Sequence, residues 1–77
     1  MIHVNELLNE AIKETTNLNT NEIFFVRDLF MGYKWNRIPH RDRLVLGIIF
    51  LNKVNSGEVD IQAIEKTTSN QQRYKKL

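Results

Sequence analysis

Cysteine is absent from this 77-residue chain, so no disulfide staples it and no thiolate ligates a metal. Proline occurs once and glycine three times, each glycine isolated, which excludes a glycine-rich loop cradling phosphate. No apolar run approaches the roughly 20 residues of a membrane span; the longest, Leu44–Leu51, has Gly47 inside it. Ile2 and Val4 are soon followed by Glu6 and Glu10, which does not read as a secretion signal, and a cytoplasmic domain is the expectation. The two histidines, His3 and His40, stand outside any H-E-x-x-H-like spacing, so no metal site is expected. Ser56 and Ser69 lie in turn contexts without a nucleophile motif, and Glu6 and Glu10 are spaced as one solvated helix face. An enzyme is not expected, nor a cofactor or a small-molecule substrate.

What is present is a globular composition, 42% hydrophobic and 26% charged, in a chain with room for one domain over residues 1–77. A domain this small buries only about 60% of its unfolded surface, so a dense core or a partner is needed. Five of the seven aromatics fall between residues 24 and 35, and that segment belongs against a core or a partner.

The net charge of +2 hides an alternation. Residues 1–22 set Lys13 against Glu6, Glu10, Glu14 and Glu22, a balance of −3. Residues 23–53 hold six cations against Asp28 and Asp42, a balance of +4. Glu58, Asp60 and Glu65 then give −3, and Lys66, Arg73, Lys75 and Lys76 give +4. Whether folding merges the two basic blocks bears directly on function.

Val4, Leu7, Leu8, Ala11, Ile12 and Thr15 follow helical spacing and predict an amphipathic helix over residues 3–16. Asparagines and Thr20 then break it. Glu22–Val26 reads as a short strand, and Val26, Leu29, Phe30 and Tyr33 as a helix weakened or ended by Gly32. Lys34–Ile38 reads as a turn, and Pro39 suits the first turn of a helix reaching Asn55, with Ser56-Gly57 as its stop. At roughly 100° per residue, Leu44, Gly47, Ile48, Leu51 and Val54 form an apolar arc widened by Leu46 and Phe50, with Val45 and Ile49 outside it. Gly47 within the arc suggests a close helix contact. Val59, Ile61 and Ala63 alternate with polar residues as a half-buried strand, and Gln71–Leu77 returns after the turn Thr67–Asn70.

Helix, strand, helix, turn, helix and hairpin is the order of a winged helix-turn-helix, an α+β class that is mostly helical. The core would span residues 22–77 with a wing at about 58–77; a generic α+β mini-domain is the alternative. The string Phe25-Val26-Arg27-Asp28-Leu29-Phe30, then Trp35, then Arg43 with Leu46-Gly47, Phe50 and Val54, then Ser69-Asn70-Gln71-Gln72-Arg73-Tyr74, resembles a family of short, largely uncharacterised bacterial proteins. The resemblance covers about residues 22–75. It implies a single-stranded DNA-binding label and a setting among phage and mobile-element genes.

On the winged reading, Arg37, His40 and Arg41 start the third helix, where base edges are reached. Lys66, Thr68 and Asn70 form the wing tip, with Arg73 and Lys75 behind it, and the tip lies along phosphates or in a minor groove. A homodimeric DNA-binding regulator or accessory factor follows, preferring duplex to single strand. Arg43 is either part of this set or structural, and Trp35 and Tyr33 are either core residues or stacking platforms for a single strand. Val45 and Ile49 on the outer face of the third helix do not suit a DNA reader. Together with the stripe Val4, Leu8 and Ile12 they suggest the alternative, a protein-interaction module that borrows the winged shape.

Overall fold

The computed structural model describes residues 3–77, and Ile2, weighed above against a secretion signal, lies outside them. Helix α1, Val4–Thr15, lays its apolar stripe inward, burying Ala11 completely and Thr15 almost so. The Thr15 hydroxyl donates to the Ile12 carbonyl at 2.5 Å, so the hydroxyl is satisfied inside the fold. The chain leaves the helix through Asn17–Asn21, and Asn21 takes a left-handed backbone conformation (φ 75°) that asparagine tolerates.

Strand β1 is Ile23–Phe24, shorter than the expected Glu22–Val26. The difference arises because Val26–Leu29 coils into one 3₁₀ turn, with the Asp28 carboxylate accepting the Phe25 N–H at 2.9 Å. The helix expected from Arg27 is therefore this single turn. The Met31 carbonyl next accepts the Trp35 N–H at 2.9 Å and opens helix α2, Gly32–Arg37. Gly32 begins a helix rather than ending one, and most of the turn expected at Lys34–Ile38 is helical. Pro39 is the N-cap of α3, His40–Asn55, its carbonyl accepting the Arg43 N–H at 3.0 Å. That helix stops at Ser56 and Gly57, whose φ of +78° is open to glycine without strain.

Strands β2, Ile61–Ile64, and β3, Arg73–Lys76, make the C-terminal hairpin. The sheet is antiparallel in the order β1–β3–β2, with Phe24 and Ala63 both opposite Tyr74, and Ile23 and Gln62 both opposite Lys75. The fold is thus α+β, three helices with a small three-stranded antiparallel sheet.

The core lies where sheet and helices meet. Tyr74, on the central strand, stacks on Phe24 at 5.8 Å and meets the edge of Phe50 at 4.9 Å between centroids. Leu46, Phe50 and Val54, one turn apart along α3, complete it with Leu29, Phe30, Ile61 and Ala11. Val4, Leu8 and Ile12 pack half-buried against this cluster, so the α1 stripe offered above as a contact surface serves the chain's own core. Among the described residues no helix is long and apolar enough to cross a membrane.

Candidate functional site: a groove between helix α3 and the hairpin

The inward face of α3 is Leu46, Phe50 and Val54. These three belong to the expected arc of Leu44, Gly47, Ile48, Leu51 and Val54 widened by Leu46 and Phe50, but the centre differs: Leu44, Gly47, Ile48 and Leu51 flank the core on the side of the hairpin. Leu44 and Ile48 are 58% and 61% exposed, and Leu51 is half-buried. The expectation of a close helix contact at Gly47 is corrected by the same rotation: a Cβ built there meets nothing within 4 Å. Val45 is exposed as expected, whereas Ile49 is half-buried against the core and does not face outward.

Across from this aliphatic wall stand the hairpin and the segment joining β1 to α2, and between them runs an open groove of about 620 Å³. Leu44, Gly47, Ile48 and Leu51 form one wall; Phe25, Val26, Trp35 and Tyr74 contribute apolar and aromatic surface. Polar groups complete it: Arg27, His40, Arg43, Lys66, Asn70, Gln71 and Gln72. No aspartate or glutamate lines it. The two basic blocks therefore meet here in part, Arg27, His40 and Arg43 coming from the first and Lys66 from the second.

Each groove arginine is anchored on an aromatic ring. Arg43 donates its Nε–H to the Ile38 carbonyl at 3.0 Å and places its guanidinium 5.2 Å from the Trp35 ring centre. Such anchoring is the structural alternative weighed for Arg43, and it leaves the other guanidinium N–H groups available. Arg27 lies 4.9 Å over Phe25 in the same manner. Trp35 also meets Phe30 in a tilted contact at 5.9 Å between ring centres.

The hairpin tip is held by its own bonds. Thr67 and Gln71 pair through backbone at 2.9 Å, the Thr67 hydroxyl accepts the Gln71 N–H at 3.1 Å, and Asn70 sits at φ 67°. Asn70 thus shapes the turn as well as lining the groove.

The other residues singled out from sequence scatter around this groove. Arg41 is exposed in the first turn of α3, and Arg37, at the end of α2, lies 5.1 Å over Tyr33. Thr68 is exposed at the tip. Alternation along β3 puts Tyr74 in the core and so carries Arg73 and Lys75 to the opposite sheet face, away from α3. Arg73 donates there to the Glu65 carbonyl at 2.9 Å. The sequence alone does not mark Arg27, Leu44, Ile48, Gln71 or Gln72 as site residues, yet all five line the groove. The readable signal was the breadth of the apolar arc, more than one small core covers.

Two other cations are spent locally. Lys34 pairs with Glu10, whose hydrogen bond holds the ammonium pKa above its usual value, and Lys53 pairs with Glu58 at 2.8 Å, which holds that carboxyl below its usual range. No cluster of three or more potential metal-ligating side chains occurs among the described residues.

Compared with known proteins, residues 9–76 match the profile described as a domain of unknown function, DUF1413. The match starts inside α1, so it takes in part of the N-terminal helix beyond the expected resemblance at residues 22–75. No curated protein and no solved structure matches this chain.

Proposed function

We propose, for a chain that belongs to the DUF1413 family of domains of unknown function, a winged-helix-like interaction module that holds a protein segment in the groove between α3 and the hairpin. The winged reading is supported by the element order and by the strand order β1–β3–β2, with α3 in the place of a recognition helix. The observation that carries the protein reading is the wall of Leu44 and Ile48, open to solvent on that helix. Removing such surface from water is worth about 25 cal/mol per Å², and apolar side chains collect that gain. Base edges in a major groove ask instead for hydrogen-bonding side chains, which this wall lacks.

A second reading, a DNA-binding regulator, is favoured by one observation of its own. Arg37, His40 and Arg41 are exposed around the start of α3, with Lys66 and Asn70 across the groove. Titrating duplex and single-stranded DNA at low and high salt, beside capture of partners from nuclease-treated lysate, separates the two. The protein reading expects nuclease-resistant partners lost on Ile48→Glu. Salt-sensitive DNA binding that Arg41→Ala weakens and Ile48→Glu leaves unchanged would replace it with the regulator.

A further inference from the structure

We infer that the occupant of the groove is an acidic, amphipathic protein segment, its apolar side chains on the Leu44–Ile48 wall and its carboxylates on Arg27, Arg43 and Lys66. The inference rests on the protein reading above and adds the chemistry of the ligand. Its basis is charge. The whole chain is nearly balanced, with 11 Lys and Arg against 9 Asp and Glu, yet no acid lines this groove. Among the described residues the ion pairs are Lys34–Glu10 and Lys53–Glu58, so the three groove cations have no carboxylate of their own. They come from three separate parts of the fold, the 3₁₀ turn, α3 and the hairpin, and surround one apolar surface. A ligand that fits both halves is at once anionic and greasy.

The geometry favours a peptide over a nucleic acid strand. Single-strand binders offer free aromatic faces to bases. Here Arg43 lies over Trp35 and Arg27 over Phe25, so a guanidinium already occupies one face of each ring. Tyr74, the other aromatic of the lining, is stacked on Phe24 and met edge-on by Phe50. The aliphatic wall has no partner in a sugar–phosphate chain. The volume, about 620 Å³, lies within the roughly 300–1,000 Å³ of small ligand sites, which suits a few side chains of one segment.

The experiment uses the full chain and a set of labelled helical peptides sharing one leucine stripe, their polar faces filled with glutamate, glutamine or lysine. A glutamate peptide without leucine and a single-stranded oligonucleotide complete the set. Anisotropy reports binding, and the emission of Trp35, the single tryptophan, reports occupancy of the groove. The leucine–glutamate peptide is expected to bind on the order of tenfold more tightly than its glutamine counterpart. The double charge reversal Arg27→Glu with Lys66→Glu should transfer the preference to the lysine peptide, a rescue that loss of fold cannot imitate. Ile48→Glu should weaken binding by about tenfold or more with an unchanged circular dichroism spectrum. Equal affinity for the glutamate and glutamine peptides would overturn the acidic preference and leave the protein reading standing. Tighter binding of the oligonucleotide, or of glutamate without leucine, would overturn both, as would no binding of any peptide. Self-association abolished by Ile48→Glu would assign the groove to a second copy and overturn the inference.

Discussion

Two faces of helix α3 have nearly the same composition and opposite fates. Leu46, Phe50 and Val54 are buried, whereas Leu44 and Ile48 stand open to solvent with Gly47 between them. Nothing in the chemistry of leucine or isoleucine separates them. What separates them is the position of Tyr74, whose ring on the central strand reaches Phe50 and draws that side of the helix onto the sheet. Hydrophobicity along one helix therefore does not by itself say which apolar face the core takes.

The largest test of this contrast is Phe50→Ala. Truncating a fully buried phenylalanine costs about 3–5 kcal/mol, comparable with the whole stability of a domain this size. Denaturant unfolding followed by circular dichroism should find the variant largely unfolded. A loss below about 1 kcal/mol would place the core elsewhere.

The next test asks how dry the buried side is. Burial pushes the Tyr74 phenol up from 10.0 to about 12 in the fold. The folded state thus holds this proton more firmly than the unfolded chain. Its contribution is complete below the unfolded value and disappears as pH rises through the folded one, so stability falls between about pH 10 and 12. The loss amounts to about 2–3 kcal/mol. Denaturation midpoints across this range should fall more steeply in the natural protein than in Tyr74→Phe. Parallel curves would mean that water reaches the ring from the groove.

Much of the fold was legible because local rules and tertiary packing agree. The period of Val4 to Thr15 gave α1, and Pro39 with Gly57 bounded α3 within a residue. The alternation from Val59 to Ala63 located the hairpin. The segment from Arg27 to Ile38 is ambiguous in sequence because its apolar residues suit a helix at either end. Only the Asp28 cap and the extended backbone at Phe30 and Met31 decide where the chain breaks. The site was legible only in part. Helical periodicity says which residues share a face but not which part of a broad apolar arc meets the sheet, so it does not separate Leu44 and Ile48 from Leu46, Phe50 and Val54. Strand alternation, correctly read, also puts Arg73 and Lys75 behind the sheet, which charge counted by segment does not register.

Gly47 sits at the boundary of the two faces and tests both together. An added Cβ has open space, so Gly47→Ala should stabilise the helix by up to about 1 kcal/mol. The same methyl enters the groove and should weaken ligand binding. Lower thermal stability would revive the close helix contact at this position and sharply reduce the room left for a ligand.

The smallest expected change is the most telling. Ile48→Gln exchanges an exposed aliphatic side chain for a polar one of similar length, and surface changes of this kind stay within about 0.5 kcal/mol. Set beside Phe50→Ala, two residues away, it separates the faces by their energies. A residue that contributes nothing to the isolated fold, yet whose loss weakens a bound peptide, belongs to the partner's interface rather than to the core. If Ile48→Gln instead destabilised the domain as a core substitution does, the two faces would be one, and the groove would close in solution.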